Sequence, residues 1–223
     1  NSIRIASGTY TLTSGKDGLH AENTDDTSKG FVYIADGKFT VNCKGDGIDA
    51  GTTAQIESGR FNITSNRDSS SSSSTDSASA KGIKAGGDIT ISGGTFNLTC
   101  EDDGLHSNSN VTVSGGTFTI STGDDGIHAD SKTSISGGTN ITESYEGIEG
   151  TEVEISGGTI NLKSSNDGFN AAGGKDESGF GGGFDRDNFG SSDASITISG
   201  GKIKIDADGD GVDSNGSLTV TGG

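Results

Sequence analysis

The sequence predicts an all-β protein, a right-handed parallel β-helix of about eight coils with three short strands in each. Three observations lead there. A tripeptide SGG begins at Ser92, Ser114, Ser136, Ser156 and Ser199, with the variant TGG at Thr221, in steps of 22, 22, 20, 43 and 22 residues. Between these markers lie runs of three to six residues that alternate apolar and polar, the period of a half-buried strand. Glycine-rich corners separate the runs, and no segment carries a sustained 3.6-residue period. A unit this short cannot bury a core alone, so repeats at such spacing imply stacked coils. The right hand is expected because parallel crossovers favour it.

Weaker copies of the marker begin at Ser7 (SGT), Ala35 (ADG) and Ser58 (SGR), which completes the count of coils. In the fifth coil the runs are TFTI (117–120), GIHA (126–129) and TSI (133–135). Alternation puts Phe118, Ile120, Ile127 and Ile135 inward, and Thr119 and His128 outward. Tyr10, Phe39, Phe61, Phe96 and Phe118 align in one column after the SGG-type corner and predict an inward aromatic stack. Asn140 falls in that column in a coil two residues shorter, which suggests a local register change with Ile141 turned inward. Cys43 and Cys100 share a column two coils apart. At ~4.8 Å per coil that separation exceeds what a disulfide spans, so free buried thiols are expected. The helix is expected to form one domain over 1–223, interrupted by insertions near 22–30, 68–79 and 173–193. The last of these carries Phe180, Phe184 and Phe189 in a glycine-rich setting.

Composition narrows the function. The chain has 32 acids against 15 bases, a formal net charge of -17, 40 glycines, no proline and no tryptophan. Such acidity argues against nucleic acid, which asks for Lys and Arg patches. It favours cations, or an anionic partner reached through them. No apolar run is long enough for a membrane-spanning helix. The chain begins and ends in mid-repeat, and its low cysteine and high Ser, Thr, Gly and Asn content fit a secreted or cell-surface protein.

Aligned on the Asp-Gly corner, the residue before glycine runs Asp17, Asp46, Lys81, Asp103, Asp125, Glu146, Asp167, Asp210. The residue before that includes Asp102, Asp124 and Tyr145. Two residues after the glycine come His20, Asp49, Lys84, His106, His128, Glu149, Asn170 and Asp213. Asp-Gly is good turn chemistry, the Asp bonding its own backbone and the Gly taking positive φ. Turn chemistry explains each copy but not the stacking of acid on acid. Two carboxylates ~5 Å apart repel by about 1 kcal/mol in water and about 3 at an effective dielectric of 20. A hard divalent cation converts that repulsion into affinity, and calcium takes six to eight oxygens. Asp102, Asp103, Asp124 and Asp125 are the first candidate ligands, extended by Glu146 and Asp167. Asp206, Asp208 and Asp210 form a second set, spaced like the start of an EF-hand loop but lacking its final Glu. Asp46 with Asp49 is a weaker third. His106 and His128, with Glu149 in the next coil, would suit a transition metal, or simply form a polar ladder on an outward strand face.

The segments SGGTFNL, DDGLHS, DDGIHA and, above all, NDGFNAAGG followed by a glycine-rich insertion resemble a family of secreted clostridial carbohydrate-binding proteins. The resemblance implies a β-helix like that of polysaccharide lyases, bound calcium, and association with cellulose or acidic plant polysaccharides such as polygalacturonate. Lys81 departs from the acid pattern in the third coil. Candidate sugar contacts are Tyr145, His106, His128, Phe180, Phe184 and Phe189. The expected function is non-catalytic polysaccharide binding with calcium held between coils. The alternatives are a calcium-dependent pectate-type lyase, with Lys81 or Lys84 beside the acids as base, and a passive surface stalk or adhesin.

Overall fold

The computed structural model of the chain describes residues 1–23, 25–66, 79–172 and 193–223. Among them there are only strands, turns and connecting segments, and no helix long and apolar enough to cross a membrane. The strands form three parallel sheets of nine, eight and eight, each joining every third strand in chain order. This is the parallel β-helix. The fifth coil shows the plan: Thr117–Thr122 lies in the second sheet, Ile127–Ala129 in the third and Lys132–Ile135 in the first. Strands of the second sheet are six residues long and those of the third two or three.

Stacking like on like fixes the core. Phe39, Phe61, Phe96 and Phe118 are fully buried, and with Tyr10 they form a column of parallel rings 4.6–5.0 Å apart. Beside them rise columns of Ile, Leu and Val, among them Ile34, Ile56, Ile91, Val113 and Ile135 on the first sheet. The glycine before each strand of the second sheet has positive φ, from +85° at Gly138 to +149° at Gly8, which L side chains rarely adopt. A Cβ on Gly94 would also stand 3.1 Å from the Phe96 ring, so the same glycine turns the chain and seats the aromatic column.

The expected register change at Asn140 does not occur. Asn140 pairs with Phe118 below and Ile160 above, in unbroken register. The coil loses one residue at the corner before the third-sheet strand and one at that strand, which has two residues where the coil before has three. From Thr117 to Ile127, which opens the third-sheet strand of the same coil, is ten residues, but from Thr139 to Ile148 nine. From Ile127 to Lys132 is five, but from Ile148 to Glu152 four. A corner can shorten without breaking a ladder of hydrogen bonds, whereas a slip within a strand would turn its apolar face to solvent. The side chains of 139–142, and with them the inward turn of Ile141, lie outside the described residues.

Cys43 and Cys100 are free and buried, with Ser65 between them in the same column. In the insertion at 22–30 the Asn23 side-chain Oδ1 accepts from the backbone amides of Asp25 and Asp26. The insertions near 68–79 and 173–193 lie almost wholly outside the described residues, as do Phe180, Phe184 and Phe189.

Phe96 sits between Phe61 and Phe118 with no exposed surface. Phe96→Ala is expected to destabilise the protein by about 3–5 kcal/mol in chemical denaturation, because the rigid columns on either side cannot collapse into the void.

A candidate metal centre on the acid corner

The acids gather where the second sheet turns into the third. The Asp-Gly glycines there are not in the left-handed region, contrary to the turn reading. They are needed because the chains approach closely: a Cβ on Gly104 would lie 2.6 Å from the carbonyl oxygen of Gly126 in the next coil. Nor does the corner Asp bond its own backbone. It reaches across the coils. Asp17 Oδ1 accepts the backbone N–H of Asp46 (2.8 Å), Asp46 Oδ1 that of Lys81 (2.8 Å), Asp103 Oδ1 that of Asp125 (3.0 Å), and Asp167 Oδ1 that of Asp210 (2.6 Å). Each carboxylate pins the next rung by a charge-assisted hydrogen bond. The acid column is thus first a structural ladder.

The second oxygen of Asp103 and of Asp125 faces the residue three positions on, and that of Asp46 a lysine of the next coil. Asp103 Oδ2 accepts from His106 Nδ1 (2.8 Å) and Asp125 Oδ2 from His128 Nδ1 (3.2 Å), while Asp46 Oδ2 lies 3.4 Å from Lys84 Nζ. His106 and His128 stack with ring centroids 4.9 Å apart. They point outward from the strand as expected, yet they are only 5% and 2% exposed, so neither offers an open ring face to a sugar. His128 is enclosed by acids. Its Nδ1–H also donates to Glu149 Oε2 (2.9 Å), and Nε2–H donates to Asp130 Oδ1 (3.3 Å). Burial alone would lower the imidazole, but the hydrogen bonds to Asp125, Asp130 and Glu149 outweigh it and hold the ring charged well above its ordinary range. Burial pushes the Asp125 carboxyl well up, and the charge on Glu149 adds to this. Burial also works against Asp103 and Glu149, but the His106 hydrogen bond and Lys81 charge hold the former down, and His128 the latter.

Of the four aspartates expected to share one cation, three converge. Oxygens of Asp102, Asp103 and Asp124 lie within 4.8 Å of one another, Asp102 and Asp103 buried and Asp124 half-buried. Asp125 belongs to a second group with His128 and Glu149. Lys81, the departure from the acid column, shows what the cluster needs. It is buried, and its ammonium lies 2.5 Å from Asp103 Oδ2 and 3.2 Å from Asp102 Oδ1. A covalently attached cation stands between corner carboxylates in the third coil. Three carboxylates against that one ammonium form a hard, all-oxygen donor set of net negative charge, which fits calcium.

Glu146 accepts hydrogen bonds from Asn166 Nδ2 (3.0 Å) and Asn170 Nδ2 (2.7 Å), and Asp167 is taken up by the Asp210 amide. Asp206 lies in the strand Lys202–Ala207, with Asp208 and Asp210 in the corner after it. All three are exposed, and they join no ligand group among the described residues. Tyr145 is half-buried beside the corner, its backbone N–H donating to the Asp124 carbonyl. A third group, Asp17, His20 and Asp49, repeats the Asp-x-x-His geometry with an acid from the next coil. The acids two residues after His20 and His128, Glu22 and Asp130, complete these surroundings. They are visible in the sequence as His-x-acid, a pattern that alignment on Asp-Gly alone passes over.

Residues 1–126 match the family described as carbohydrate-binding domain-containing protein. No curated protein matches the chain. Among solved structures, the polysaccharide lyase-like protein from C. thermocellum, described as a gadolinium derivative, superposes with a TM-score of 0.60 over 98% of this chain and 86% of that one, at 19% identity. At that identity the likeness is one of fold.

Two measurements test the ladder. Burial first, then the Glu149 charge, raise Glu146 to about 7, above the ordinary 4.5. Between these values the unfolded chain has released a proton that the folded chain keeps, so Glu146 costs increasing stability as pH rises from about 4.5 to about 7. In metal-free protein, Glu146→Gln should therefore raise the melting midpoint more at pH 8 than at pH 5. Lys81→Met removes the built-in cation from a buried acid pair, and is expected to cost about 3–5 kcal/mol in chelator. Added calcium should restore more stability to this variant than to the parent.

Proposed function

Since the chain belongs to the carbohydrate-binding domain family, we propose that it is a secreted, non-catalytic binder of acidic plant cell-wall polysaccharide whose acid corner holds calcium. The observation that carries this reading is the buried group Asp102, Asp103 and Asp124, which lies within the residues matched to that family. Like charges placed that close oppose folding, and a hard cation relieves them with the oxygen ligands it prefers. The ladder of Asp-to-amide bonds holds the ligands on rigid backbone, so little ordering accompanies binding.

Acidic sugars suit the surface better than crystalline cellulose, which calls for a row of flat exposed rings. Among the described residues the phenylalanines of the column are buried, Tyr10, Phe31, Tyr33 and Tyr145 are half-buried, and the large exposed hydrophobics are Leu218 and Val220, neither aromatic. A lyase requires a base that reaches the C5 proton of a bound uronate. Lys81 is enclosed and held by two carboxylates, which favours the binder over that reading.

The test combines two assays. Calcium at about 100 times its dissociation constant should stabilise the fold by about 2.7 kcal/mol, lost on chelation and abolished in Asp102→Asn/Asp124→Asn. The parent should retain polygalacturonate on an affinity gel without generating the ultraviolet-absorbing unsaturated product of elimination. A midpoint indifferent to calcium removes the metal from this reading. Appearance of the product turns it into a lyase.

A further inference from the structure

Acids outnumber bases over the chain as a whole, but on the outward side of the second sheet the balance reverses. Along its eight strands the outward positions carry Lys38, Arg60, Lys163, Lys202 and Lys204 against Glu143 and Asp206, a net of +3 on a chain of net -17. Several bases elsewhere are paired with acids. Lys29, Lys81, Lys84 and Lys132 each sit within ion-pair distance of a carboxylate. The five on this face are exposed and form no salt bridge with any described residue, although the chain carries twice as many acids as bases. Between the two basic ends the outward rows are mostly threonine, serine and asparagine, as in Thr95, Asn97, Thr117 and Thr119, with Ile141 and Glu143 at the matching register positions of the strand Thr139–Ser144. One amide pair there, Asn97 to Asn62, is already hydrogen-bonded at 2.7 Å. From the strand of Lys38 to that of Lys202 is six strand steps, about 29 Å along the solenoid axis.

We infer that this face is the polysaccharide-binding surface, and that its occupant is a linear polyanionic polysaccharide lying along the axis. Unpaired bases at both ends meet the sugar carboxylates, and hydroxyl and amide rows meet the sugar hydroxyls in between. The inference rests on the proposed carbohydrate binding and adds a consequence: the polymer is held directly by protein cations, while calcium acts at the acid corner on the stability of the fold. The anionic corner in turn repels the polymer and keeps it on the one face of opposite sign.

The test uses the full chain with all five bases changed to glutamine (Lys38→Gln, Arg60→Gln, Lys163→Gln, Lys202→Gln and Lys204→Gln), titrated with polygalacturonate in calcium and in chelator, at two salt concentrations. At least a tenfold loss of affinity, a flatter salt dependence and an unchanged melting midpoint in calcium are expected, since the replaced side chains are exposed. Asp102→Asn/Asp124→Asn, assayed below its own midpoint, should keep the parent's affinity. Parent and five-base variant binding alike would overturn this surface while leaving carbohydrate binding intact. Loss of binding only in the Asp102/Asp124 variant would relocate the polymer to the metal. A parent that binds no polygalacturonate would overturn both readings.

Discussion

Each coil of this protein must lay its backbone one strand spacing above the last, in register. That constraint is satisfied by hydrogen bonds running along the solenoid axis, and nearly everything else follows from it. A residue in one coil is forced to sit on its counterpart in the next, whatever the two side chains are. Where the counterparts are phenylalanines the outcome is a column of parallel rings. Where they are aspartates, the same geometry piles like charge on like charge.

The molecule resolves that conflict with several devices at one corner. One oxygen of the corner Asp is given to the next coil's amide, which turns part of the charge into a bond between rungs. The other oxygen is given a cation carried by the chain: imidazole at His106 and His128, ammonium at Lys84 and Lys81. Asp102, Asp103 and Asp124 bring three such carboxylates within reach of a single ion. If the corner holds an ion as proposed, its affinity and the stability of the fold are two expressions of one electrostatic problem. Lys81 illustrates their equivalence, since a side-chain cation occupies in the third coil the place that an ion would take among carboxylates.

Segregation of charge gives the solenoid two electrostatically distinct faces. The third sheet and its corner hold buried acids, histidines and lysines in mutual contact, and that network is inward-looking in its chemistry even though it lies outside the apolar core. The second sheet, with longer strands, presents a broad surface of hydroxyls, amides and unpaired bases. A polyanion approaching the molecule meets repulsion on one side and complementary charge on the other, so orientation is set before contact.

The fold was legible in the sequence because a solenoid writes its geometry as a period. The SGG markers, the alternation in TFTI and the Tyr10-to-Phe118 column lead to the coils, the strands and the core without any knowledge of distant contacts. Sequence also identified the acid columns and set Lys81 apart. It could not decide what each carboxylate does. Whether Asp103 faces metal, an amide or a lysine depends on angstrom-scale distances at a corner, and Asp102 parts company with Asp125 although both belong to the same pair of motifs. Nor could it show that His106 and His128 are shut off from solvent, or that the shortened coil loses its two residues around the third-sheet strand and keeps its second-sheet strand whole. Periodicity fixes which residues stack, because backbone pairing is regular. The partner of a polar atom is settled only by tertiary structure, because hydrogen bonds and ion pairs are short, directional and made between coils.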